Sequence, residues 1–435
     1  MMRSMFSGVS GLRAHQTRMD VIGNNVANVN TVGFKSGRVT FQEIFSQTLK
    51  GASAPDSTTG RGGTNPMQIG LGLGVGAVDT ITTRGSLQRT DNPTDMSIEG
   101  EGFFICKGGS ADTYKFTRAG NFSIDKLGNL VTGSGLNVYG WQALKNDGSG
   151  EFDTETPIEP INLYSDEYRN KRIIAAKATS SATLTGNLDA SFNDPDTVGT
   201  GTLDTFTVPM TVYDSLGNDY KVNVTFSKSD APTATGSTWT WAVADGEGYT
   251  ADSGETGVLT FGTDGVFVSN TATDPLTLKH DPDNGAEDII ITLDFTKISS
   301  YASDCSVKPK SVDGYTSGSL TTFSVGSDGI LTGIYDNGQQ QSLGLMALSN
   351  FENPAGLQKV GDNMYIPTTN SGDYKAVKAG SNGVGTLNPG TLEMSNVDLS
   401  AEFTNMIVTQ RGFQANSRII TTSDEMLQEL VNLKR

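Results

Sequence analysis

Cysteine, histidine and tryptophan are nearly absent, with two, two and three of them in 435 residues. His15 and His280 are the whole histidine supply, which starves most catalytic triads and most zinc centres. Cys106 and Cys305 neither demand nor exclude a disulfide, and Cys106, inside the apolar run GFFICK, reads as a small buried thiol. Basic charge is scarce too. The 31 Lys and Arg face 48 Asp and Glu, a formal charge of −17, which argues against a nucleic-acid partner or an anionic membrane surface. No run of about 18 apolar residues is available to cross a bilayer, so membrane insertion is not expected. The first residues, MMRSMFSGVSGLRAHQTRM, lack the continuous apolar core of a secretory signal. That pattern fits a cytoplasmic chain, or one exported without a cleaved signal.

What the chain does have is an apolar repeat at each end. Met5, Leu12, Met19 and Val26 recur every seven residues, with Val9 and Ile22 beside them. Leu399, Met406, Phe413, Ile420 and Leu427 do the same, with Phe403 and Val431 on the companion positions. Such a period is the seam of a coiled coil. Neither helix is strong alone: Gly8, Gly11 and Gly23 each cost roughly 1 kcal/mol relative to Ala, and Gln410, Ser417 and Asp424 dilute the second seam. Both ends are therefore expected to be largely disordered in isolation and to become helical on packing, against each other or against other copies. The nine residues at sevens form a candidate self-assembly seam.

Between the ends the chain reads as β-structure, giving a fold class that is mainly β with terminal α-helices. Residues 1–30 and 398–435 are assigned to a coiled-coil helical domain, and residues 31–76 and 366–397 to an irregular, partly extended connector. Alternation of apolar and polar residues begins near 77. Phe122-Ser123-Ile124 with Gly128 and Leu130 recurs as Phe323-Ser324-Val325 with Gly329 and Leu331. This echo suggests one discontinuous antiparallel β-domain from 77–150 and 306–365, with residues 151–305 inserted as an outer domain. Within the insert, two alternating strands meet across Asp214-Ser215-Leu216-Gly217-Asn218, a turn composition tolerant of positive φ. Short strands and frequent turns point to a sandwich or a barrel.

Chemistry is hard to find. Gly72-x-Gly74-x-x-Ala77 formally matches a dinucleotide fingerprint, yet lacks the strand before it and the helix opening inside it. Asp281-Pro282-Asp283-Asn284-Gly285 resembles part of a calcium loop without its remaining ligands. Trp239 and Trp241 alternate as a sheet face does. No catalytic, cofactor-binding or metal-binding residue is singled out, and no enzymatic activity or cofactor is expected.

The segment SGVSGLRAHQTRMDVIGNNVANVNTVGFKSGRVTFQE resembles the signature of the bacterial flagellar rod and hook family, in which NNVANVNTxGFK closes the first helix and opens the connector. Asn24, Asn25, Ala27, Asn28, Asn30, Thr31, Gly33 and Phe34 carry that match. NVDLSAEFTNMIVTQRGFQANSRIITTSDEMLQELVNLKR is similar to the family's other terminal helix, and IEGEGFF, FSIDKLGNLVTG and GLMALSNFENPAGLQKVGDNMY resemble its shared β-domain. The large insert sorts the chain with hook-type rather than shorter rod-type members. The resemblance implies an extracellular subunit of the flagellum, exported unfolded through the type III apparatus, which would explain the missing signal. It also implies polymerisation with itself into a curved, torque-transmitting tube attached to the basal body, with the distal rod protein, the hook cap and the hook-filament junction proteins as neighbours. In such a joint Gly60, Gly62, Gly63, Gly70, Gly72, Gly74 and Gly76 are expected to act as a hinge.

Overall fold

The computed structural model describes residues 2–55, 60, 62–108, 113–145, 149–164, 171–191, 205–228, 236–272, 275–280 and 285–433. The calcium-like residues Asp281 to Asn284 lie outside that set. The chain divides into two compact units, the first comprising Met1–Tyr164, Phe323–Thr332 and Ser342–Arg435, the second Ser165–Thr322 and Gly333–Gln341. The second unit thus starts at 165 rather than 151 and runs past 305.

In the first unit, helix α1 (Met2–Ala27) packs antiparallel on helix α2 (Leu399–Asn432), with Ser4 opposite Ser423 and Asn25 opposite Glu402. Asp398 caps α2, its carboxylate accepting from the amides of Ser400 and Ala401 at 2.9 and 3.3 Å. The stretch expected to be an irregular connector is largely a two-stranded ribbon. Gly37–Glu43 pairs with Leu73–Thr80, and Ser46–Lys50 pairs with Met67–Gly70. Gly70, Gly74 and Gly76 sit inside these ladders, where they hid the alternation that marks a strand. The dinucleotide-like match accordingly falls on a strand with no helix after it.

The main sheet of this unit runs through Gln340–Asn350, Asn137–Trp141, Phe103–Lys107, Lys115–Thr117, Met364–Ile366 and Gln358–Gly361. It buries an aromatic core that includes Phe103, Phe116, Trp141 and Phe351. Both halves of the internal echo are strand-turn-strand: Phe122–Ile124 pairs with Leu130–Thr132, and Gly318–Val325 neighbours Ile330–Tyr335. Gly128 and Gly329 supply left-handed turn residues, at φ 90° and 85°.

The second unit is a sandwich. One five-stranded sheet orders Thr205–Tyr213, Asp219–Lys228, Thr238–Val243, Thr256–Phe261 and Phe267–Asn270, and the other orders Tyr249–Ser253, Leu276–His280, Ile289–Ser299, Ser181–Asn187 and Lys308–Val312. They share one core containing Phe226, Trp239, Trp241, Leu259 and Phe295. The barrel alternative is corrected: among the described residues neither sheet closes on itself. Pro209 and Pro309 lie on edge strands, where proline is tolerated because no outer neighbour needs its missing N–H.

The Asp214 turn repeats a device of the first unit. The Asp214 carboxylate accepts from the amides of Leu216 and Asn218 and from the Asn218 side chain, and Asp125 accepts in the same way from Leu127 and Asn129. Asp313 clamps the start of another strand, accepting from the Ser180 and Ser181 amides at 2.9 Å, the Ser180 hydroxyl at 2.6 Å and Lys177 at 3.1 Å. Burial works to raise its pKa, but these donors prevail and hold the carboxyl well below the usual range. A depressed folded-state pKa contributes stability above the unfolded aspartate value of about 3.9, and that stability fades as pH falls through the folded value. Asp313→Asn should therefore unfold at lower temperature at neutral pH and lose less on acidification; equal acid slopes in the two proteins would contradict the clamp.

Candidate assembly surface

The line of closest approach between α1 and α2 is built from small and polar residues. A Cβ on Gly8 would stand 3.3 Å from Ile420 Cγ1, one on Gly11 2.8 Å from Asn416 Nδ2, and one on Gly412 2.7 Å from His15 Cε1. The glycines that weaken the helices in isolation are thus where the two backbones come together. The two helices also bury Ala14, Ile22, Asn25, Thr409 and Ser423. The apolar repeat lies beside that line. Met5, Leu12, Met19, Val26, Met406, Ile420 and Leu427 are half-buried, while Leu399 and Phe413 are exposed.

The ribbon lies along α1. Phe41 meets the His15 ring edge-on at 5.5 Å between centroids, and the Arg18 guanidinium stands 5.7 Å over the same Phe41 ring. Burial, then the Arg18 charge, pushes the His15 pKa down. Large apolar side chains stay uncovered on more than one face of the pair: Phe6 is 66% exposed, Phe403 49%, Val408 55% and Leu430 50%. Isolated exposed apolar residues are ordinary, but several of them along one pair of helices mark an interaction surface.

The base of the pair is anchored by a buried charge cluster that sequence reasoning missed. Lys35 Nζ donates to Glu393 Oε1 at 2.6 Å and to the Thr83 carbonyl at 3.0 Å, and Arg118 donates to Glu393 Oε2 at 3.4 Å and to the Gly100 carbonyl at 2.8 Å. Lys35 and Arg118 are 2% exposed and Glu393 0%. Burial pushes the Lys35 pKa down, against the pull of Glu393. Lys35 and Glu393 are 358 residues apart, so no local pattern joins them.

The family-motif residues lead into this cluster. Asn28 donates to Asn24, and Thr31 donates to Asn28, which closes α1. Buried Asn25 exchanges two hydrogen bonds with the Gly37 backbone. The Gly33 amide donates to the Glu393 carbonyl at 2.7 Å, and at φ 68° a Cβ there would stand 2.6 Å from the Ala119 nitrogen. Phe34 lies 5.0 Å under the Lys359 ammonium. Ala27 and Asn30 are exposed.

Of the glycines expected to act as a hinge, Gly72 sits at φ 121° where the two ribbon ladders meet and Gly60 at φ 65°, with Gly62 and Gly63 following it. Both thiols are free; Cys106 is fully buried and pushed up to about 12 by that burial, and Cys305 is half-buried. Among the described residues, no group of three His, Cys, Asp or Glu converges as metal ligands. Glu393→Gln leaves two buried cations without a full counter-charge and should cost about 3–5 kcal/mol of stability, read by denaturant unfolding. A loss under about 1 kcal/mol, the scale of an exposed pair, would show that the cluster is not an anchor.

Four stretches match family models: residues 5–35 the flagella basal body rod protein, 97–167 the flagellar hook protein FlgE/F/G D1 domain, 179–315 the flagellar basal body protein FlaE D2 domain, and 388–433 the flagellar basal body rod FlgEFG protein C-terminal. Full-length relatives include the flagellar hook protein FlgE of Borreliella burgdorferi and that of Treponema pallidum, each 39% identical with 100% of both chains covered. The flagellar basal-body rod protein FlgG of Bacillus subtilis is 33% identical, also over 100% of both.

Proposed function

The chain belongs to the flagellar hook protein family, and on that premise we propose that it polymerises into the curved, flexible tube that carries torque from the motor's rod to the filament. The observation that carries this reading is the set of large apolar side chains left exposed along the helix pair. Fully burying one large apolar side chain contributes roughly 1.5–3 kcal/mol, so neighbouring copies that cover Phe6, Phe403, Val408 and Leu430 gain enough to order the ends. In that setting the two helices form a coiled-coil domain whose half-open seam is completed from outside the chain. A heterologous contact that does not close on itself builds an open helix, as a tube requires. A distal rod subunit is the second reading; the 39% identity to two of the hook proteins, against 33% to the rod protein, favours the hook.

A structural rather than catalytic role follows, located outside the cell in the flagellum. Export through the type III apparatus and contacts with the distal rod protein, the hook cap and the hook-filament junction proteins belong to the same proposal, supported by family membership. For flexure, the ribbon supplies a natural joint where its two ladders meet, at Gly72 on one strand and Ile44-Phe45 on the other, bridged by the Ile44 amide donating to the Gly72 carbonyl at 3.2 Å and the Leu71 amide to the Phe45 carbonyl at 2.9 Å. The charge cluster keeps the ribbon's base fixed while the distal part moves.

Intact protein should form tubes by light scattering and negative-stain microscopy, and chains lacking residues 2–27 or 399–432 should not while keeping their β-structure; truncated chains that still form tubes would refute the assembly role of the ends. Alanine at Gly60, Gly62, Gly63, Gly70, Gly72, Gly74 and Gly76 together should give straighter or stiffer tubes. Normally curved tubes from that variant would dismiss the ribbon as the hinge.

A further inference from the structure

The outward face of α2 carries a second, polar heptad that the assembly seam does not use. Arg411, Arg418 and Glu425 stand at sevens, with Ala415, Thr422 and Glu429 on the companion positions. All six are exposed. No side chain among Arg411, Arg418, Glu425 and Glu429 makes an ion pair within the described residues. Charge on this stripe is segregated: the basic pair lies in the middle of the helix and the acidic pair nearer its end. Glu425 and Glu429, one turn apart, repel each other and weaken the helix. Between and beside them is a shallow depression of about 360 Å³ lined by Thr422, Glu425, Met426, Glu429 and Leu430. An apolar floor between two carboxylates fits the aliphatic stem and planar fork of an arginine.

We propose that the occupant of this depression is an arginine from α2 of a second copy of the chain, so that the Arg411/Arg418 band of one subunit seats on the Glu425/Glu429 band of the next. This rests on the assembly reading above and adds what sets its register. With two copies side by side in register, arginine would face arginine and glutamate would face glutamate. A stagger of two heptads, about 21 Å along the helix, sets Arg411 opposite Glu425 and Arg418 opposite Asn432, less than one turn from Glu429, and keeps the two arginine bands apart. The patches that meet are different stretches of the stripe, so the contact is heterologous, the condition for growth without closure. Apolar contacts then supply affinity, and the charge bands select one stagger among many that apolar residues alone would accept.

The test uses the full chain in two charge-reversed forms, R411E/R418E and E425R/E429R, with helical content of each monomer checked by circular dichroism. Each form alone should raise the critical concentration for tube formation by about tenfold or more. An equimolar mixture should recover, because each form's altered band now faces its complement on the other. The fourfold exchange in one chain, which restores both net charge and complementarity, should recover as well. If either reversal leaves the critical concentration unchanged, or if folded variants fail to recover in both the mixture and the fourfold chain, the proposed contact is wrong although the tube remains. Failure of the unaltered chain to form tubes would instead overturn the assembly reading, and this contact with it.

Discussion

Everything in the first unit depends on how closely two helices approach. Where α1 and α2 meet, Gly8, Gly11 and Gly412 leave no room for side chains, and the gap is filled by His15, Asn416 and Ile420. A contact made from such small residues brings backbones together but hides little apolar surface. The larger residues of both helices are left flanking the contact or facing away from it. Hydrophobic burial is the dominant favourable term in folding and in most association. On the proposed assembly, neighbouring copies complete that burial.

That arrangement needs a firm base. Glu393 is fully buried with Lys35 on one carboxylate oxygen and Arg118 on the other. It joins the segment leaving α1, the segment entering α2 and the β-domain at one point. A buried charge cluster is a poor source of net stability, but its hydrogen bonds are directional and hold their partners in place. Here it fixes the direction in which both helices leave the sheet. Gly33, Asn25 and Asn396 reinforce the same junction through backbone hydrogen bonds. On the proposed hinge, flexure falls to the ribbon, where its two ladders meet near Gly72.

The sequence was most legible where periodicity is strong. The seven-residue repeats located both helices to within a few residues, and two-residue alternation located most strands of the sandwich. It was silent where structure depends on distant partners. Nothing local to TLEMSN or to GFKSG tells that Glu393 and Lys35 meet, and Arg118 in TRAG looks like an ordinary surface cation. The helix face was the subtler difficulty: Met5, Leu12, Met19 and Val26 stand out because they are large, whereas Gly8 and Gly11, at the close approach to α2, carry no hydropathy signal. Glycine also concealed the ribbon, since Gly70, Gly74 and Gly76 interrupt alternation without preventing backbone pairing. Sandwich and barrel share the same alternation, so only the observed strand order separated them.

The most direct measurement is a helical reconstruction of the assembled polymer at side-chain resolution. The expected result is that Phe6, Phe403, Val408 and Leu430 lie buried against helices of adjacent copies. A polymer held together through its β-units alone, with those four side chains still facing solvent, would contradict the central claim.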